Sequence, residues 1–325
     1  MEAFSYANPA TVAEALKLLG GSWNDAQILA GGTDLIALMK DYVTSPKLVV
    51  NVKNIKELGG ISKSGAGLRI GATVTFDEMS SHAALRTEYP SIHTAVMGVA
   101  SPQIRNMGTA AGDICQRPRC WYFRNGFGLL AMKDGKSLVP DGENKYHAIF
   151  GGGPAYFVSA SSLGPALVAL GATIKIQGGS GARTVDAAKF FVIPKTDQER
   201  EIDLKPNEIV TEIHLPAAAG VRNATYEIRE RQFMDWPLAT ASVAVKMTGG
   251  KISHAKVVLG HVAPIPWEAT KAAEYLNGKT IDEKTAEEAG QLAVEGAQPL
   301  SQNGYKVQLA KVAVKRALLA TVRRT

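Results

Sequence analysis

The sequence predicts an α+β fold built from two or three packed units. Short apolar runs typical of strands alternate with helical patterns over the first two thirds of the chain. The last third has two long stretches in which apolar and polar residues alternate, as in strands, and these are followed by amphipathic helices. A chain of 325 residues that is 46% hydrophobic has enough apolar surface for more than one core.

The first unit contains a strand–glycine–helix corner in the stretch QILAGGTDLIALMK. An apolar strand ends at Gly31 and Gly32, and a helical pattern begins at once at Leu35. Thr33 or Asp34 is expected to cap this helix through its side chain. Free N–H groups, the helix dipole and the missing Cβ atoms together predict an anion site, while an ordinary strand–turn–helix corner is the alternative.

The second unit begins near residue 59 with a hairpin and two helices and contains the stretch ASPQIRNMGTAAGDIC. Residues 109–112 are small and lie between polar Asn106 and Asp113, so the backbone can closely approach a flat or phosphorylated ligand. Strands over 172–176, 183–185 and 208–216 complete this unit. A short linker at 217–220 marks the domain boundary.

The third unit starts at residue 221. We expect strands over 226–231, 239–248 and 252–259, with a turn at Gly249 and Gly250. Helices are expected over 270–276, 282–297 and 306–319.

Several functional classes are excluded by pattern. There is neither a G-x-G-x-x-G nor a Walker-type phosphate loop, and no run of 18 apolar residues predicts a membrane span. The net charge of +6 is spread among interleaved acids, so no nucleic-acid surface is expected. The six histidines are scattered, which leaves neither catalytic nor metal-ligating candidates. Cys115 and Cys120 are too few for a disulfide framework or a four-cysteine iron–sulfur site.

The two glycine-containing stretches, AGGTDL and ASPQIRNMGTAAGD, resemble the FAD-binding (medium) subunit of the molybdenum hydroxylase or xanthine dehydrogenase family. Further similarity lies in SASSLGPALVALGA at 159–172, EIVTEIHLP at 208–216 and SQNGYKVQLAKVAVKRAL at 301–318. The resemblance implies a two-subdomain FAD-binding PCMH-type domain, similar to vanillyl-alcohol oxidase, over 1–218, with subdomains 1–58 and 59–218. A CO dehydrogenase flavoprotein-like α+β domain over 221–325 would follow.

The resemblance also implies which residues hold FAD. Residues 30–35 would bind its pyrophosphate through backbone N–H groups, and the second stretch would hold the other side of the cofactor. Many relatives have Asp where this chain has Ser162, and often Lys where it has Glu227. The implied cofactor-binding residues are Ala30, Gly31, Gly32, Thr33, Asp34, Leu35, Ala100, Thr109, Gly112, Asp113 and Ser162.

A long loop-like segment over 116–150 opens with QRPRCWYFR. This opening most resembles the FAD subunits of bacterial aldehyde oxidoreductases, but the chain lacks the further cysteines that hold a [4Fe–4S] cluster in that branch. We interpret the aromatic and arginine side chains of 117–127 as a cover for the flavin and a contact for a partner. A hydrophobic anchor for the loop and a nucleic-acid patch are the alternatives.

The implied function is that of an electron-transfer subunit in a molybdopterin-dependent dehydrogenase of xanthine or aldehyde type. It would take electrons from a small [2Fe–2S] partner, receive them ultimately from a large molybdopterin partner, and pass them to an external acceptor. Molybdopterin and the clusters are expected only in those partners. The alternatives are a stand-alone FAD oxidase of vanillyl-alcohol-oxidase type and a scaffold whose site has decayed. The chain is expected to be cytoplasmic, or periplasmic if a partner carries the export signal.

Overall fold

The computed structural model describes residues 1–99, 101–232 and 234–322. Its first sheet has three parallel strands in the order β1-β3-β2, so the central strand is the last to be added along the chain. Val50 is fully buried on the central strand and packs in a small core with Val12 and Ala15 of the first helix. The elements are β1 (Ser5–Ala7), α1 (Val12–Leu18), β2 (Ala26–Leu29), α2 (Leu35–Lys40) and β3 (Leu48–Asn51).

The second sheet has five antiparallel strands in the order β4-β5-β10-β8-β9. The last strand of this sheet along the chain, β10, pairs with β5 on one side and with β8 on the other, so it joins the early hairpin to the late one. The elements are β4 (Ile61–Ser64), β5 (Gly67–Gly71), α3 (Phe76–Ser81), α4 (Ala83–Thr87), α5 (Pro90–Gly98), α6 (Pro102–Met107), α7 (Ala110–Cys115), α8 (Trp121–Arg124), β6 (Met132–Lys133), β7 (Lys136–Ser137), α9 (Gly164–Leu170), β8 (Thr173–Gly178), β9 (Gly181–Asp186), α10 (Ala187–Phe190) and β10 (Glu208–Leu215).

The third sheet is antiparallel in the order β11-β12-β13-β14, and it shares one hydrophobic core with the three helices that follow it. Alanines at 286, 289, 310, 313 and 317 are fully buried, so the helices pack closely on each other and on the sheet. The elements are β11 (Val221–Ile228), β12 (Ala239–Thr248), β13 (Lys251–Gly260), β14 (Trp267–Glu268), α11 (Thr270–Leu276), α12 (Glu283–Ala293) and α13 (Tyr305–Ala320).

Two expectations for elements need correction. The strand expected over 226–231 ends at Ile228, so Arg229 leaves the sheet and is available to the site described below. The segment 116–150 is irregular as predicted but contains helix α8, and Phe123, Leu129 and Leu130 form a small core beneath it with Leu38 of α2. Within the described part of the chain, no helix combines the length and the apolar character needed to cross a membrane.

Candidate functional site

Two backbone corners meet in the site. The first corner, residues 29–35, joins β2 to α2, and the second corner, residues 107–112, leads into α7. A Cβ atom added to Gly31 would overlap the carbonyl oxygen of Met107, so the second corner rests directly on the first. The second corner is in turn held by a hydrogen bond from the Phe76 N–H to the Gly108 carbonyl, at 3.0 Å. Gly31 is therefore required by contact between the chain's own backbone segments.

Gly32 is required for a different reason. Its φ is +73°, in the left-handed region that glycine adopts without a steric penalty. The sequence reasoning attributed both missing side chains to the approach of a phosphate. The structure instead gives each glycine a role in the conformation and packing of the protein's own backbone.

The sequence predicted that Thr33 or Asp34 caps helix α2, but Asp34 does not cap it. It occupies the N-cap position with a helical backbone conformation and makes no side-chain hydrogen bond to the helix. Its carboxylate accepts instead from the Arg117 N–H at 2.8 Å and from the Arg124 guanidinium at 2.7 Å. Arg119 forms a further ion pair with it at 3.1 Å. Asp34 thus joins the first corner to the segment that begins at residue 116.

These arginines belong to a group that we call the arginine cluster. Its members are Asp34, Arg117, Arg119, Arg124, Arg200 and Glu201. Four cations face two carboxylates, which leaves two positive charges in excess. Burial lowers the pKa of Arg200 to about 10, so its guanidinium remains charged at neutral pH.

Arg200 stacks on an aromatic ring. Its guanidinium carbon lies 4.2 Å from the ring centroid of Trp23, and its side chain is only 12% exposed. The Nε atoms of Arg200 and Arg119 are buried and have no hydrogen-bond partner among the described residues. The Nε of Arg200 lies 3.7 Å from Glu201 Oε2, which also has no hydrogen-bond partner among the described residues, so these two atoms face each other.

The second corner is capped and anchored by its own polar residues. Thr109 is buried, and its hydroxyl accepts from the Gly112 N–H at 3.1 Å, which caps α7. Asp113 accepts from the Ser161 hydroxyl at 2.5 Å and from the Leu163 N–H at 2.9 Å. Burial raises the pKa of Asp113 to about 6, although these donors oppose the shift. Asp113 therefore anchors the chain before α9 and is not a free ligand.

Ser161 and Ser162 have separate positions at the start of α9. The hydroxyl of Ser161 accepts from the N–H of Gly164, the first residue of α9, at 2.8 Å. Ser162 is also buried, and it lines a cleft next to Asp113.

Two clefts adjoin at the corners. The first cleft, of about 290 Å³, lies between the first corner and α7, and the second cleft, of about 260 Å³, extends toward the third unit. The residues common to both walls are Thr33, Asp34, Thr109, Gly112 and Gln116. The clefts are therefore two arms of one elongated groove.

The groove brings together ten of the eleven residues that the resemblance implied. Residues 30–35, Thr109 and Gly112 line the first cleft, and Asp113 and Ser162 line the second. The remaining candidate, Ala100, lies outside the described residues.

Sequence reasoning missed several side chains of the groove. Trp23 and Arg200 line the first cleft, whereas Arg229 and Trp236 line the second. Arg119, from the segment expected to cover the flavin, also lines the second cleft. No spacing pattern connects these residues, because they come from loops and strand ends far apart in the chain.

The third unit contributes a buried ion pair. The guanidinium of Arg229 donates to the Glu227 carboxylate at 2.5 Å, and the two side chains are 4% and 7% exposed. Burial raises the pKa of Glu227 to about 7. The resemblance places lysine, in many relatives, at the position of Glu227. In this chain the third unit instead contributes Arg229, two residues later, to the lining of the second cleft.

Comparison with known families identifies the chain. Residues 2–218 match the model described as the FAD binding domain in molybdopterin dehydrogenase. The chain belongs to this family. Residues 224–321 match a second model, the CO dehydrogenase flavoprotein C-terminal domain. The predicted family and the two-part α+β fold are confirmed.

Individual relatives extend over almost the whole length. The chain is 29% identical to the carbon monoxide dehydrogenase medium chain of Hydrogenophaga pseudoflava, over 98% of this chain and 96% of the relative. It is 28% identical to the aldehyde oxidoreductase FAD-binding subunit PaoB of Escherichia coli K12, over 96% of each. The crystal structure of quinoline 2-oxidoreductase from Pseudomonas putida 86 is similar with a TM-score of 0.77 and 27% identity, covering 98% of this chain and 97% of that one.

The groove fits FAD, the group that the family implies. FAD has a charged diphosphate between two flat ring systems, and the groove has two arms that adjoin beside the arginine cluster. The excess positive charge of the arginine cluster matches an anion. Among the described residues, no group of three or more His, Cys, Asp or Glu side chains is placed to hold a metal ion.

Proposed function

We propose that the chain is the FAD-binding electron-transfer subunit of a molybdopterin-dependent dehydrogenase or hydroxylase. The observation that carries the proposal is the elongated groove, whose two arms adjoin where the two corners and the arginine cluster come together. When bound, FAD supplies two-electron uptake and one-electron release, and the chain supplies binding, orientation and electrostatics.

Within this proposal, the residues at the junction of the clefts hold the diphosphate. The backbone N–H groups of 30–35 face it, together with the hydroxyls of Thr33 and Thr109. The N–H groups of Ala110, Ala111 and Gly112 are already bonded within the chain. The resemblance includes Ala100 in the same set. Trp23 and Arg200 provide a flat surface in the first cleft for the adenine, and Ser162 and Arg229 line the second cleft beside the flavin ring.

We further propose that the partners are a small [2Fe–2S] subunit and a large molybdopterin subunit. Several relatives bear names that describe one component of several, such as the medium chain of carbon monoxide dehydrogenase and the medium subunit of nicotine 6-hydroxylase. These names do not favour a stand-alone oxidase. We propose a cytoplasmic location, or a periplasmic one with an exported partner, which cell fractionation tests.

Acid precipitation of the purified chain tests the cofactor assignment. We expect one FAD per chain in the supernatant, because neither motif indicates a covalent link. Flavin retained in the precipitate, FMN in place of FAD, or no flavin after reconstitution would contradict the proposal. Substrate oxidation by the isolated chain would contradict the role as a subunit.

A further inference from the structure

The third unit binds an irregular stretch of the second unit through that stretch's backbone carbonyls. We call residues 142–149 the carbonyl segment and residues 298–306, which lead into α13, the clamp. Five consecutive carbonyls, those of residues 145–149, accept hydrogen bonds from the clamp at 2.7–3.2 Å. The donors are the Tyr305 hydroxyl, the Lys306 Nζ, the Asn303 amide and the Gln298 N–H. Because an irregular segment lacks partners of its own, these donors fix its conformation.

Lys306 is the central donor of the clamp. The residue is 1% exposed, and its Nζ donates to the carbonyls of Tyr146 and His147 at 2.9 and 3.2 Å. Its third partner is the carbonyl of His261, just after β13, at 2.7 Å. Burial lowers the pKa of Lys306 to about 7, so below that pH the ammonium has three protons for three acceptors. Lys306 therefore fastens the carbonyl segment to both α13 and the end of β13.

Asn144 adds hydrogen bonds in the opposite direction. It is fully buried, and its side-chain amide donates to the Ser301 hydroxyl at 3.0 Å and accepts from the Gln302 N–H at 2.9 Å. The Asn144 N–H donates to the Gln302 side chain at 3.3 Å. The clamp and the carbonyl segment thus hold each other through donors on both sides.

The carbonyl segment also contacts the start of α8. The Trp121 Nε1 donates to the Glu143 carbonyl at 3.1 Å, and the Glu143 N–H donates to the Tyr122 hydroxyl at 2.8 Å. The Trp121 ring packs edge-on against Tyr146 and His147, with ring centroids 5.6 and 5.5 Å apart. Helix α8 has only four residues, so contacts of this kind, rather than its own hydrogen bonds, fix its position.

Helix α8 in turn places arginines at the groove. Arg124, its last residue, donates to the Asp34 carboxylate at 2.7 Å. The same guanidinium donates to the carbonyls of Arg117 and Pro118 at 3.2 and 2.9 Å, which holds the chain before the helix. Arg119 lies within this stretch and lines the second cleft. A displacement of α8 would therefore move the arginine cluster relative to the first corner.

A second anchor of α8 provides the alternative explanation of its position. Phe123 is 6% exposed and packs with Leu129 and Leu130 in the small core beneath the helix. Hydrophobic contact is non-directional, so one buried ring leaves the rotation of a short helix about that ring undetermined. Directional hydrogen bonds at Trp121 and Tyr122 determine this rotation.

We propose that the clamp positions the arginine cluster for FAD by way of the carbonyl segment and α8, which makes Lys306 and Trp121 positioning residues for the cofactor. This inference rests on the proposed FAD groove and adds to it a requirement for the third unit. None of the residues 298–306 lines either cleft, so the clamp acts on FAD through other residues and not by touching it.

A double-mutant cycle tests this path. The FAD-free chain is titrated with FAD at pH 6, with flavin fluorescence as the signal, for the wild type, Lys306→Met, Trp121→Phe and the double variant. Phenylalanine keeps an aromatic ring but cannot donate to the Glu143 carbonyl. We expect each single substitution to raise the dissociation constant about tenfold, a coupling typical of one hydrogen-bond network. The double variant should bind no more weakly than the weaker single one, whereas independent effects would multiply to about a hundredfold.

Two further variants separate this role from a general loss of stability. Lys315→Met is the matched control, because Lys315 is on the same helix but pairs with Glu283 and Glu287, and it should bind FAD as the wild type does. Lys306→Arg keeps a cation with N–H donors, and the adjoining cavity of about 350 Å³ gives space for the larger group. It should bind FAD more tightly than Lys306→Met.

Tryptic cleavage of the FAD-free chain provides a readout that does not need the cofactor. Lys306→Met and Trp121→Phe should be cleaved faster after Arg119 and Arg124 than Lys315→Met. A wild type without FAD affinity would contradict the proposed function, and cleavage would still test the clamp. Unchanged FAD affinity in Lys306→Met, losses that multiply in the double variant, no recovery in Lys306→Arg, or equal cleavage would overturn the inference.

Tyr305→Phe takes the place of Lys306→Met in the cycle if circular dichroism shows that the latter does not fold. It removes one donor, to the Lys145 carbonyl at 2.9 Å, from a partly exposed position. We then expect about threefold weaker FAD binding, the size of one ordinary hydrogen bond. Unchanged affinity in both Tyr305→Phe and Trp121→Phe would contradict the inference.

Discussion

The Cα of Gly31 lies against the carbonyl oxygen of Met107, with no room between them for a side chain. This contact joins the strand–helix corner of the first unit to the corner that begins α7 in the second. The two corners line a common groove, so the shape of the groove depends on a contact 76 residues apart in sequence.

Gly31→Ala should therefore separate the two corners. We expect the free energy of unfolding to fall by about 3 kcal/mol, as for strong overpacking, together with loss of bound flavin. Gly21→Ala is the control, because a Cβ at Gly21 would meet no atom within 4 Å. Urea unfolding and the flavin released by acid are measured for both. Full flavin occupancy in Gly31→Ala would show that the corners adapt.

Asp34→Asn should loosen the arginine cluster. The substitution removes the carboxylate that Arg119 and Arg124 contact at 3.1 and 2.7 Å, and it leaves buried cations without compensation. We expect a loss of about 3 kcal/mol in unfolding free energy and faster tryptic cleavage after residues 117–124. Asp41→Asn is the comparison, since Asp41 is exposed at the end of the same helix. Equal cleavage of both variants would contradict this role of Asp34.

Asp113 should make stability depend on pH in an identifiable direction. The pKa of Asp113 is about 6 in the folded chain, whereas the unfolded chain has the ordinary value of 3.8. Between these two pH values the folded state therefore binds more protons than the unfolded state. Its contribution to stability therefore falls as pH rises from 4 to 6 and is constant above that range. A shift of this size corresponds to about 3 kcal/mol.

Comparison with Asp113→Asn isolates this effect. The variant lacks the titrating group, and its amide N–H₂ would face the Ser161 and Leu163 donors, so we expect it to be less stable than the wild type throughout. The stability advantage of the wild type should be larger at pH 4 than at pH 7, as measured by urea unfolding at both pH values. An advantage that grows with pH would show that the folded-state pKa is lowered.

Local patterns predicted most of the elements. Apolar and polar residues alternate in the sequences of β12 and β13, which flank a Gly249–Gly250 turn. Both glycines have positive φ, as such a turn requires. The corner between β2 and α2 was likewise visible from the apolar run, the glycine pair and the helical spacing. In these cases the information lies within about ten consecutive residues.

Side-chain partners were not predictable in the same way. Asp34 would normally be interpreted as a cap, but its partners are more than 80 residues away, and nothing local indicates them. The stacking of Arg200 on Trp23 and the anchoring of the α9 start by Asp113 are also long-range. Sequence reasoning located the groove but missed the contacts that determine its charge.

Arg200→Met should weaken FAD binding while the fold is retained. Arg117 still pairs with Glu201 at 2.6 Å in this variant, so the cluster loses one cation but keeps its main link. We expect the dissociation constant of FAD to rise about tenfold, measured by fluorescence titration of the FAD-free chain. Arg222→Met, at an exposed position on β11, controls for loss of charge. An unchanged affinity for FAD would contradict the proposal that Arg200 contacts the adenine.

The contact with partner subunits remains a prediction, and the structure suggests a different surface from the one that the sequence favoured. Within 117–127, Arg117 and Arg124 turn inward and Phe123 is buried, which supports the alternative of an anchor for the loop. Phe127 is the large apolar side chain of this segment that is exposed, at 47%. Met234 and Trp236, by contrast, are 65% and 45% exposed and line the second cleft.

Met234→Glu should therefore reduce recovery of the complex, because a carboxylate would be placed in an apolar contact beside the groove. We expect about tenfold less co-purified partner when the three subunits are co-expressed, and FAD content is measured on the same samples because Met234 also lines the second cleft. Phe127→Glu is the matched variant, since it places the same charge on the surface that the sequence favoured. Loss of the complex in Phe127→Glu alone would restore the segment 117–127 as the contact. Loss of FAD in Met234→Glu would instead show that Met234 supports the groove itself.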